Sequence, residues 1–158
     1  MNIKAAHIIA IVTFTSIGFL APKDALAVKN LNYGGIGCEA LYEYQDGQFL
    51  RSGYGRKNTS TGSMWVRCPV IKYKFDADGT KTSYVTVNHT QYGYSRCHLI
   101  ASNYAGTSAY SNSASRTGSG LQVISLPALR AHHDGFYDLW CYLAPGAEIK
   151  SYRIAEKD

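Results

Sequence analysis

Four cysteines constrain this chain more than any other residues. Cys38, Cys68, Cys97 and Cys141 stand 30, 29 and 44 residues apart. Zinc held by four thiolates requires close pairs such as C-x-x-C, and none is present. An even count in an oxidising compartment instead predicts two disulfides. Three pairings are open, and Cys38–Cys68 with Cys97–Cys141 is the preferred one. In the loop-entropy account, each such bridge stabilises the fold by about 3–4 kcal/mol.

The start of the chain supports that compartment. Lys4 precedes an apolar stretch from Ala5 to Leu20, and Ala25-Leu26-Ala27 follows. A basic start, an apolar centre and a small-x-small end have the order of a secretory signal. The apolar stretch is too short to cross about 30 Å of hydrocarbon comfortably as a helix. Residues 1–27 are therefore expected to be a signal peptide and 28–158 a single domain, secreted or periplasmic, with no membrane span after cleavage. The formal charge of the whole chain is +5, with charged residues at 17%. That excess favours anionic surfaces but is far from the dense basic stripe of a nucleic-acid binder.

Beyond Ala27 the apolar residues alternate. In Met64–Val70, the residues Met64, Val66, Cys68 and Val70 take one face and Trp65 and Arg67 the other. Pro69 cannot donate to a ladder, so this strand ends there or lies at an edge. A run at 71–75, the turn Asp76–Gly79 and a strand at Thr82–Thr90 read as a hairpin. Further strands are expected at Tyr94–Ala101, Leu121–Leu126, Phe136–Leu143 and Glu148–Ala155, with the cysteines facing inward. Leu126–Ala131 is a candidate short helix. Asn58–Ser63 and Ser111–Gly120 read as solvent loops, because neither carries apolar residues to bury. Strands with Gly, Ser and Asn turns and no crossover helices predict an all-β fold, an antiparallel sandwich or small barrel.

Several segments resemble a loose group of small exported bacterial β-proteins of no assigned activity. They are Val66-Arg67-Cys68-Pro69, Cys97-His98-Leu99, Cys141-Tyr142-Leu143 and the closing run from Ile149 to Glu156. The group carries Val-x-Cys-Pro, Cys-x-Leu and Cys-x-Leu-Pro strands ahead of an Ile-x-x-Tyr-x-Ile-x-Glu strand. Here Pro145 follows Ala144 rather than Leu143. The resemblance implies export, disulfides and a β-fold, and says nothing about chemistry.

Catalytic signatures are thin. No G-x-S-x-G, H-E-x-x-H or phosphate-binding glycine loop occurs. His132-His133-Asp134 is the densest polar cluster, yet neighbouring strand residues point to opposite faces, so it reads first as a polar turn. His98 reads as a rim histidine. Acids such as Glu39, Glu43, Asp46 and Asp138 are loose candidates for a glycosidase pair, a signal of little weight in a chain with this many carboxylates. No catalytic residue, metal or cofactor is assigned.

The aromatic content is more telling. The chain has 13 Tyr and 2 Trp. A Tyr or Trp ring joins a broad apolar face to a polar tip and loses little rotamer entropy on contact. The same rings also stabilise the exposed side of a sheet. Trp65, Tyr92, Tyr94, Tyr104 and Trp140 are the candidate ligand contacts of a binding module. Its expected partner is a carbohydrate, a cell-surface polymer or a secreted protein. The alternatives are a small secreted hydrolase, with His132, His133 and Asp134 as candidates, or an inhibitory or structural protein acting through the Ser111–Gly120 segment.

Overall fold

The computed structural model describes residues 30–72 and 79–157. The expected signal peptide and most of the expected hairpin at 71–79 lie outside the described residues. The first strands are β1 (Asn30–Gly34), β2 (Glu39–Ala40), β3 (Phe49–Ser52), β4 (Gly55–Asn58), β5 (Met64–Val70) and β6 (Gly79–Thr80). Then come β7 (Ser83–Ser102), β8 (Ala109–Leu126), β9 (Leu129–Arg130), β10 (Phe136–Leu143) and β11 (Ala147–Ala155). Two 3-10 turns, Gly35–Gly37 and Glu43–Gln48, are the helical segments among the described residues.

Nine strands form one antiparallel sheet in the order β2-β5-β10-β7-β11-β4-β3, with β1 also on β11 and β8 also on β7. The long β7–β8 hairpin belongs to two half-sheets. Its outer end, from Arg96 to Ser102, pairs with β10, while Tyr84–His89 pairs with β11. Between them the register with β8 slips at His89–Gly93, and β8 turns through Gly120 at φ +71°. An L side chain is strained there. His89 holds the bend from inside. Its Nδ1 lies 2.9 Å from the Gly118 carbonyl and its Nε2 2.8 Å from Ser95 Oγ, with both residues buried.

The bend folds the halves over a common core. Met64, Val66, Leu99, Leu139 and Leu143 come from one half, and Val85, Val87, Ile149, Tyr152 and Ile154 from the other. Polar contacts tie the two halves together. Tyr152 donates to the Pro69 carbonyl at 2.6 Å, and Asn58 Nδ2 donates to the carbonyls of Leu143 and Ala144 at 3.2 and 3.1 Å. The result is an all-β, nearly closed, barrel-like sheet. Both disulfides are those preferred on sequence grounds, Cys38–Cys68 and Cys97–Cys141, and all four sulfurs belong to fully buried residues. No helix among the described residues is long and apolar enough to cross a membrane.

Three expectations need correction. Ser111–Gly120 is no loop but part of β8, because main-chain bonds to β7 hold an extended segment whose apolar side chain, Ala114, is only half-buried. Asn58, expected in a solvent loop, is fully buried because its amide caps main-chain carbonyls at the end of β10. Leu126–Ala131 contains strand β9 rather than a helix, since Leu129 pairs with Thr80.

Candidate functional site

The inward cysteines dictate what faces out. Arg67 precedes Cys68, His98 follows Cys97, and Trp140 and Tyr142 flank Cys141, so alternation puts all four on the outer face. Register then aligns them across strands. One row runs Glu39, Arg67, Trp140, His98 and Ser113. The next contains Trp65, Tyr142, Arg96 and Ser115.

These rings pack into a platform. Trp65 lies 5.3 Å from Tyr142 and 5.5 Å from His98 between ring centroids, tilted at 58° and 52°. Such tilted contacts suit the ring quadrupoles and fix the orientation of each plane. Trp65, Trp140 and Tyr142 are half-buried. Above them lies a groove of about 380 Å³ lined by Leu41, Tyr42, Trp65, His98, Ile100, Ser111 and Trp140. At its rim Tyr42 stacks on Tyr44 at 5.7 Å, and both rings are exposed.

A polar pair borders the rings. Asp138 Oδ1 accepts from Arg67 Nε at 2.9 Å and from Nη2 at 2.7 Å. Both bonds fall on one carboxylate oxygen, so Oδ2 remains an acceptor and Arg67 Nη1 a donor toward solvent. The Arg67 side chain is 52% exposed, and an exposed pair of this kind stabilises a fold by no more than about 1 kcal/mol. A second cavity of about 340 Å³ opens beside the pair, between Glu39, Pro69 and Phe136. Burial and the neighbouring Arg96 cation hold the His98 imidazole below its usual pKa.

Of the residues singled out from sequence, Trp65 and Trp140 share this face. Tyr94 lies on it too, two residues along β7 from Arg96 and opposite Thr117. Tyr92 is strongly exposed at the β7 bend. Tyr104 stands in the β7–β8 turn at the far end of the hairpin, away from Tyr92. Tyr142, Arg96 and the pairing of Arg67 with Asp138 escaped sequence reasoning; the position of Tyr142, Arg96 and Arg67 beside inward cysteines was the available signal.

The histidine cluster is divided. His132 stacks on Tyr110 at 4.9 Å, whereas His133 turns outward and meets Asp134 at 2.8 Å. Their carbonyls both accept from Lys72 Nζ, as expected of a structural turn. Among the described residues no cluster of His, Cys, Asp or Glu has the arrangement of a metal site. Glu39, Glu43 and Asp46 gather with Arg56 around a separate cleft of about 520 Å³.

No protein-family model matches the chain, and no curated protein matches it. Solved structures do. The chain is similar to the C-terminal CBM6 of LamC, a marine laminarinase from Zobellia galactanivorans, with a TM-score of 0.52 at 14% identity. That match covers 80% of this chain and 99% of the other. A glycoside hydrolase family 43 arabinoxylan arabinofuranohydrolase from Bacillus subtilis, solved with cellotetraose, aligns at 8% identity and a TM-score of 0.39. Its alignment spans 82% of this chain but 25% of that enzyme. At these identities the likeness to the LamC module is one of β-fold alone.

Proposed function

We propose that this protein is a non-catalytic, exported module that binds carbohydrate in the groove over Trp65 and Trp140. The carrying observation is the union of two tryptophans, a groove and a one-sided Arg67–Asp138 pair on a single sheet face. A pyranose ring presents C–H groups on its faces and hydroxyls around its edge. The indole planes receive the faces, and Asp138 Oδ2 with Arg67 Nη1 offers an acceptor and a donor to neighbouring hydroxyls. The shared fold with a module named as carbohydrate-binding supports this reading. The buried disulfides support an oxidising site of action.

Calorimetry against a panel of oligosaccharides tests the proposal. Trp65→Ala and Trp140→Ala are each expected to weaken binding by about 2 kcal/mol, roughly thirtyfold, as central aromatic contacts do. Unchanged affinity in the double variant, with circular dichroism confirming the fold, would remove the groove from consideration.

A further inference from the structure

We propose that the groove selects an acidic saccharide and that Arg96, outside the lining but two residues along β7 from its lining residue His98, seats the carboxylate or sulfate. This rests on the carbohydrate reading and adds the ligand's chemical class.

The charges on this face are unevenly matched. Arg67 is held by Asp138 and has Glu39 as its cross-strand neighbour. Arg96 stands at the opposite side with no carboxylate partner among the described residues. Its recorded side-chain bond runs from Nη2 to Ser113 Oγ at 2.9 Å. That contact orients the guanidinium without neutralising it. Because Ser113 Oγ accepts from Arg96, its own hydroxyl proton is free to donate outward.

The surroundings complete an anion seat. Tyr142 lies directly across from Arg96 on β10 and Ser115 directly across on β8. Tyr94 and His98 flank it on the outward face of β7. Aromatic residues thus hold three of the sheet positions around Arg96 and a serine the fourth, and the exposed Arg96 side chain leans over β8 toward Ser113. The planar fork matches a carboxylate or sulfate bidentately. Trp65 is next to Tyr142 in the same row, so a sugar stacked there carries its acidic substituent toward Arg96. The Arg96 field already reaches this neighbourhood, since it helps depress the His98 pKa.

Calorimetry on the oxidised full chain separates the possibilities. An oligogalacturonate, a sulfated galactan oligosaccharide and a neutral laminari-oligosaccharide of equal length serve as probes. At low ionic strength one or both acidic probes are expected to bind at least about tenfold tighter than the neutral one, and added salt is expected to erase the difference. Arg96→Gln should bring the acidic probe to the neutral level, while Arg51→Gln, on β3 of the other half-sheet, should leave it unchanged. Whichever acidic probe responds identifies carboxylate or sulfate as the group. Equal binding of neutral and acidic probes, or an advantage that survives Arg96→Gln, overturns the selection for acid and leaves the carbohydrate reading standing. Failure of every saccharide, neutral included, overturns both.

Discussion

At the scale of single residues, His98 is the most informative side chain on the platform. Burial comes first and the Arg96 cation second in lowering its pKa, and both disfavour the charged ring. A base whose folded pKa lies below its unfolded value binds its proton less readily when folded. Its contribution to stability is therefore complete above about pH 6.5 and declines as the pH falls from there through the folded pKa. Nuclear magnetic resonance titration should find His98 titrating below the ordinary histidine range, and Arg96→Gln should move it part of the way back. A titration at or above the ordinary value would contradict the packing described. The outward direction of Trp65, Arg67, Trp140 and Tyr142 was legible once the cysteines were assigned to the core. The pairing of Arg67 with Asp138 was not, because it joins residues 71 positions apart and depends on a register that no local pattern encodes.

At the scale of elements, β7 and β8 carry the architecture. Strands with an apolar face, such as Phe136–Leu143, were legible to the residue, because burial on one side leaves a two-residue signature. The first half of β8 leaves none. From Ala109 to Thr117 its side chains are exposed or half-buried on both faces, so Ser, Asn and Thr satisfy it as well as any others. The bend was equally hidden, since it hangs on a buried histidine and serine six residues apart. Nδ1 donates to the Gly118 carbonyl, and Nε2 shares a hydrogen bond with the Ser95 hydroxyl. Ser95→Ala strands that nitrogen away from water and is expected to cost about 1–3 kcal/mol, read as a lower midpoint in thermal or denaturant unfolding.

At the scale of the whole molecule, the two cross-links lie within one half-sheet. Cys97 and Cys141 are direct cross-strand partners on β7 and β10, and Cys38 is tied to β5 beside β2. The Trp-bearing face is thus backed by both bridges, while β3, β4, β1 and β11 carry none. Replacing Cys97 and Cys141 together by Ala is expected to lower stability by about 3–4 kcal/mol under oxidising conditions. Saccharide affinity should fall as well, because loosened strands no longer hold the rings in place before the ligand arrives. Chemical denaturation and calorimetry on the same variant check the two effects separately.

This lopsided stapling has a consequence for wear. Under heat, detergent or proteolysis, fraying begins where only noncovalent packing resists it, at the far side of the barrel. The Trp-bearing face is the last part to come apart, so under the proposed carbohydrate binding a partly damaged molecule would still hold its ligand.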